Sequence, residues 1–113
     1  MDSLSISLSA LRAYATQLKA TANNVANFQT PGYKAQRVVL TSGPSGGVTA
    51  AVTRDLSPGM TVPREGQEAQ EMSNVDLGRE MVDLILIKTG YQANARVLQV
   101  TEETKGKVID IIG

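Results

Sequence analysis

ANNVANFQTPGYK, residues 22–34, holds three asparagines, a Thr-Pro-Gly and a tyrosine in one short run. Asn23, Asn24 and Asn27 tolerate left-handed backbone and bond their own main chain, so they suit the exit of a helix. Pro31 disfavours α conformation at Thr30. Pro31-Gly32 at the two central positions points to a type II turn, because glycine accepts the positive φ required there. Tyr33 then offers a flat ring and one hydroxyl to pin the turn against a helix. A helix stops here, the chain reverses, and a strand begins. Stopping a helix does not obviously require three asparagines, and their spare amides have the chemistry to join backbones of neighbouring chains.

Upstream of this stretch, Leu4, Leu8, Leu11, Ala15, Leu18, Ala22 and Val25 recur at alternating spacings of four and three. This heptad stripe, uninterrupted by Pro or Gly, predicts an amphipathic helix over about residues 3–27, capped by Asp2 or Ser3. Downstream the pattern changes. RVVLTSG, GGVTAAVTRDL and MTVPRE are short β-prone runs divided by SGPSGG, SPG and PREG. Residues 36–72 read as one hairpin plus an irregular, extended stretch. A lone hairpin is marginal in water and needs a helix or another copy to lean on.

From about Val75 the helical rhythm returns through Leu77, Met81, Leu84, Tyr91, Leu98, Ile109 and Ile112, with Lys88, Glu102 and Lys105 interrupting the stripe. Asp76 suits the N-cap and Glu80 the first turns, where the helix dipole favours an acid. Ser73 to Asp76 also fits a capping box. Gly78, Gly90 and Gly106 each weaken a helix interior by about 1 kcal/mol relative to alanine. The fold class is therefore mainly α. Long N- and C-terminal helices pair in a coiled-coil-like manner around a short β-hairpin or extended middle, with segments 1–35, 36–72 and 73–113.

The two helical segments are about 37 and about 55 Å long at 1.5 Å per residue. Any pairing leaves one end uncovered. That end, near VIDIIG, carries Val108, Ile109, Ile111 and Ile112 and should seek a partner, unless the hairpin folds back over it.

Composition excludes more than it assigns. The 113 residues carry eleven Lys+Arg against eleven Asp+Glu, a zero net charge that argues against general nucleic-acid binding and permits self-association. Cysteine and histidine are absent, so no disulfide, thiolate nucleophile or Cys/His metal site is possible. No cofactor is expected. Apolar runs are too short for a membrane span, and no basic region precedes an apolar stretch as in a cleaved secretion signal. Asp76 and Glu80, one helical turn apart, have the look of an acid/base pair, but acids at a helix start far more often serve cap and dipole. Glu102 and Glu103 lie in a charged, solvated turn, and GPSGG lacks the lysine and following helix of a phosphate loop. An enzyme is not expected.

ANNVANFQTPGYKA resembles the N-terminal motif of the bacterial flagellar rod and hook family of axial proteins. SNVDLGREMVDLILIKTGYQANARVLQVTEETKGKVIDII resembles that family's C-terminal motif, with Asn74-Val75-Asp76, Glu80-Met81 and Tyr91-Gln92-Ala93-Asn94. The middle, VTAAVTRDLSPGM, is similar, less specifically, to the short insert of the proximal rod subunits. The resemblance implies a structural subunit of the basal-body rod, whose terminal helices stack on copies of itself and on neighbouring rod and hook subunits to form a torque-transmitting tube. It implies export from the cytoplasm by the flagellum-specific type III apparatus into a rod that spans the periplasm, with no membrane insertion. Asn23, Asn24, Asn27, Thr30, Pro31, Gly32 and Tyr33 would form the turn beneath the first helix, and Asn74, Val75 and Asp76 would open the second. Tyr91, Gln92 and Asn94 would mark the face that meets other copies. The alternative is a finite helical binding module, a chaperone-like partner of such axial proteins, using the same apolar faces. A closed complex would mark the second reading and an open-ended array the first.

Overall fold

The computed structural model describes residues 2–112, so Met1 and Gly113, the outermost residues of the terminal segments, lie outside the described residues. Two helices enclose a β-rich middle: α1 (Ser3–Ala26), β1 (Gln36–Ser42), β2 (Val48–Arg54), β3 (Thr61–Arg64), β4 (Gln67–Glu71) and α2 (Leu77–Ile112). The molecule is a rod of 80 × 25 × 14 Å.

Asp2 opens α1, its carboxylate accepting the Ser5 N–H at 2.8 Å. The helix ends at Asn27, whose N–H bonds back to Asn23 and Asn24 carbonyls. The Thr30 carbonyl then accepts the Tyr33 N–H at 3.2 Å, and Gly32 sits at φ 72°, the pairing that closes a Pro-Gly reversal. At the other end Asp76 caps α2: its carboxylate accepts the Arg79 N–H at 3.3 Å and its carbonyl the Glu80 N–H at 3.0 Å.

The middle holds two hairpins, not one hairpin and an irregular stretch. β1 and β2 pair antiparallel, Gln36 facing Arg54 and Ser42 facing Val48. This ladder leans on α1, where the Ser9 hydroxyl accepts the Val48 N–H at 3.1 Å. β3 and β4 form the second ladder, Thr61 facing Glu71. Its register shifts between Val62 and Arg64, at Pro63, because proline has no N–H for the ladder and belongs at an irregularity. This second ladder is exposed along nearly its whole length. Lys34 anchors its base, donating to Glu71 at 2.5 Å and to the Ser57 carbonyl at 3.0 Å.

α1 and α2 run antiparallel. Asn24 meets Glu80, and ten residues toward the start of α1 Tyr14 lies over Gly90, ten residues further along α2. Continued at this register, Ser3 stands level with Thr101. Residues 102–112 therefore project past the start of α1 by about 16 Å, and all of them are exposed. Neither hairpin covers this end.

The face that α1 buries is not the leucine stripe. Its buried residues are Ser7, Ala13, Ala20, Thr21 and Asn24. On α2 the buried positions are Glu80 and Ile87. Small and polar side chains line the seam because the hairpin and α2 both approach α1 closely there. Leu8 and Leu18 are turned outward, with Leu18 49% exposed.

Candidate functional site

The densest chemistry lies where both helices meet the reversal, around two consecutive backbone amides. The Asn74 side-chain oxygen accepts the Ala35 N–H at 2.7 Å, and the Asn24 side-chain oxygen accepts the Gln36 N–H at 2.7 Å. The Asn24 amide also donates to the Gln36 carbonyl at 3.0 Å, so one side chain caps that residue on both sides as a paired strand would. Ala35 is fully buried between the two asparagines. Asn74 donates in turn to the Asp55 and Ser57 carbonyls at 2.7 and 2.9 Å, tying the end of β2 to the approach to α2.

The second layer is ionic. Glu80 is 0% exposed, and its Oε1 accepts Asn24 Nδ2 at 3.0 Å and Arg37 Nη1 at 2.8 Å. A buried carboxylate is costly unless paired and hydrogen-bonded; Oε1 has both, whereas Glu80 Oε2 and Arg37 Nε are buried with no hydrogen-bond partner among the described residues. The Tyr33 hydroxyl donates to Asn24 Oδ1 at 3.2 Å. Burial pushes that hydroxyl above its ordinary value, opposed by the nearby Arg54 charge and assisted by Glu80. Residues from α1, the turn, β1 and the start of α2 thus share one clasp.

The other turn residues support it. Asn23 Nδ2 donates to Gln36 Oε1 at 3.3 Å. Asn27 Nδ2 donates to the Asn23 carbonyl at 2.9 Å, and Asn27 Oδ1 accepts the Thr30 hydroxyl at 3.1 Å. The Gly32 N–H donates to the Glu71 carbonyl at 3.0 Å. The amides expected to be spare for neighbouring chains thus all donate within the protomer, to the Asn23 and Gln36 carbonyls and to the side chains of Gln36 and Glu80. Ser73 accepts the Val75 N–H at 3.0 Å and shapes the approach to Asp76.

Along the helices the arrangement differs. Leu4, Leu11, Val25, Leu77, Leu84 and Leu98 are half-buried, whereas Leu8, Leu18, Met81, Tyr91, Ile109 and Ile112 are exposed. Gln92 is exposed, and Asn94 is half-buried, donating to the carbonyl of Gly90 one turn earlier in α2 at 2.9 Å. Val108, Ile109, Ile111 and Ile112 form the bare end, with Ile109 67% and Ile111 84% exposed.

Sequence reading missed Arg37 and Gln36, and took Glu80 for a dipole partner. An acid three residues into a helix carries no sign of burial, and the Arg37 partner lies 43 residues away. Among the described residues no three His, Cys, Asp or Glu side chains gather to hold a metal ion. No described helix is long and apolar enough to cross a membrane. The clasp ties α1, the turn, β1 and the start of α2 together through hydrogen bonds and one ion pair.

No curated protein matches the chain. Two family models do: residues 4–34 match "Flagella basal body rod protein", and residues 67–111 match "Flagellar basal body rod FlgEFG protein C-terminal". The first covers α1 and the reversal, the second covers β4 and α2, and together they span about two-thirds of the chain in the family's order. The clasp joins the two matched regions through Asn24 and Glu80, and the chain belongs to the flagellar basal-body rod and hook family.

Proposed function

We propose that this chain is a structural subunit of the flagellar rod that polymerises through the outward faces of α1 and α2. The observation that carries the reading is the bare end of α2. Eleven exposed residues, four of them large and aliphatic, project beyond α1, and none of the other described residues covers them. Burial of apolar surface yields roughly 25 cal/mol per Å², so such an end favours association. The outward leucines of α1, with Met81, Ile85 and Leu86 of α2, supply further apolar surface along the rod's length. Two different surfaces meeting head to tail generate an open array, in keeping with a tube that carries torque. The neighbours are other copies and adjoining rod or hook subunits, reached after export as an unfolded chain into the periplasm-spanning part of the basal body. The polar clasp orients the helices and performs no catalysis.

The test is Ile109→Asp. The side chain lies outside the α1–α2 seam, so helicity by circular dichroism should match the wild type. A charge desolvated at a packing seam costs several kcal/mol, so sedimentation should show loss of the high-mass species. Self-association unchanged by Ile109→Asp rejects the assigned surface. A wild type that forms only a closed complex of fixed stoichiometry with another axial protein favours the chaperone-like alternative. Electron microscopy of basal bodies from cells with a tagged copy would place the chain directly.

A further inference from the structure

Tyr14 is the one aromatic residue in α1, and it lies directly over Gly90 of α2. A Cβ built on Gly90 would run into the ring, with Tyr14 Cε1 2.8 Å away. A glycine inside a helix costs about 1 kcal/mol relative to alanine, so the position weakens α2 unless the absent side chain serves something. Gly78 and Gly106 meet no such neighbour: an added Cβ touches only the Asp76 carboxylate at 3.4 Å at the first, and open space at the second. Gly90 alone among the α2 glycines receives a ring from α1.

We infer that Tyr14 and Gly90 form a key that holds the distal half of α2 against α1 and thereby aims the bare end of α2 along the rod axis. The inference rests on the proposed assembly role, for which that end is the joining surface. The Asn24–Glu80 clasp fixes the two helices at one level only. A directional contact at one level leaves the angle of α2 to the packing beyond it, such as buried Ile87. The key adds a second contact ten residues on, and two contacts set both spacing and direction. The rest of the seam is a weak guide, because α1 buries no large apolar residue: Ser7 and Thr21 are buried, while Leu4 and Leu11 beyond the key are only half-buried. Beside the key lies an open cleft lined by Tyr14, Gln17, Arg79, Asp83 and Leu86. The Cβ of a small residue would meet only the far end of the ring, which has room to swing there, so the test needs a side chain larger than a methyl.

The chain has no cysteine, which permits a clean crosslinking test. Thr21→Cys with Asp83→Cys reports the seam between the clasp and the key, and Ala10→Cys with Asn94→Cys reports it beyond the key. Both pairs should oxidise in the otherwise wild-type chain. With Gly90→Leu the first pair should still form and the second should be lost, and high-mass species should vanish from sedimentation. Adding Tyr14→Ala, which opens room for the leucine, should restore the second crosslink and assembly together. Retention of the Ala10–Asn94 crosslink in Gly90→Leu overturns the key, as does loss of both pairs, which would mean general unfolding. The crosslinks are read within single protomers, so the outcome stands apart from polymerisation. If the wild type never polymerises while the crosslinks respond as expected, the proposed assembly role fails and the key survives as a feature of the protomer.

Discussion

Asn24→Ala is the sharpest test of the clasp. Asn24 is 1% exposed and takes part in four hydrogen bonds: to the Gln36 carbonyl and Glu80, and from the Gln36 N–H and the Tyr33 hydroxyl. Truncation leaves the Gln36 N–H and carbonyl, the Tyr33 hydroxyl and one lone pair of Glu80 without this partner. A stranded buried group costs about 1–3 kcal/mol, and Gln36 is only half-buried, so about 3–5 kcal/mol is expected in total. That is a large share of the roughly 5–15 kcal/mol typical of a native domain. Urea unfolding followed by circular dichroism should show a lower midpoint at unchanged slope. Asn24→Asp provides a control with a sign. It keeps the acceptor for Gln36 and Tyr33 but sets a second carboxylate beside Glu80, and like charges raise the pKa of an introduced acid. An acid whose folded value is raised contributes stability below its unfolded value and loses it as pH rises through the folded one. Asn24→Asp should therefore recover relative to Asn24→Ala as pH falls toward about 4. A midpoint for Asn24→Ala indistinguishable from the wild type, or an aspartate variant that weakens further on acidification relative to alanine, refutes the reasoning.

Three further outcomes follow. Gly32→Val forces a β-branched residue to φ 72° and should cost at least about 1–2 kcal/mol in the same urea assay, although no atom lies within 4 Å of the added Cβ. An undiminished midpoint would mean that the reversal relaxes. The Tyr33 hydroxyl, raised chiefly by burial, contributes stability that is whole below pH about 10 and declines above it. Alkaline unfolding monitored at the tyrosinate band should start later in Tyr33→Phe, and coincident curves would dismiss the contribution. Glu71 is held below its ordinary value by the Lys34 hydrogen bond first and the Gly59 N–H second, so its contribution is present above pH about 4.5 and lost as pH falls through the lower folded value. Exchange of the Gly59 amide should accelerate in that acid window, and Lys34→Met should move the onset upward; an onset that stays put would discount the lysine.

The elements were legible where local chemistry determines them. Asp2, the Pro31-Gly32 pair and Asp76 act through bonds within a few residues, and each boundary follows from such bonds. The β3–β4 hairpin was not legible. Its strands TVPR and QEAQE lack an apolar face, and Pro63 argues against a ladder unless a register shift accommodates it. The clasp was half legible. Three asparagines announced unusual hydrogen bonding, yet nothing near Asn24 in sequence names its partners, since Gln36, Arg37 and Glu80 come together only through the reversal and the return of α2.

The orientation of α1 is the most instructive difference. A heptad of leucines ordinarily marks the surface a helix buries against its partner. Here the protomer buries the neighbouring face, built from Ser7, Ala13, Ala20, Thr21 and Asn24, and leaves Leu8 and Leu18 outside. The choice makes physical sense if polar groups set the protomer's geometry and apolar groups set its association. Hydrogen bonds to Asn24 and Glu80 are directional and strand buried groups when misaligned, so they select one arrangement of the two helices. Apolar contact is non-directional and grows with area, which suits surfaces that must seat against many neighbours along a filament. Exchanging the two faces would give a well-packed helical hairpin with a polar exterior and little tendency to join others. Under the proposed assembly, exposed Leu8 and Leu18 and the bare end of α2 serve one purpose, and the clasp, with the inferred Tyr14–Gly90 key, would hold them in line.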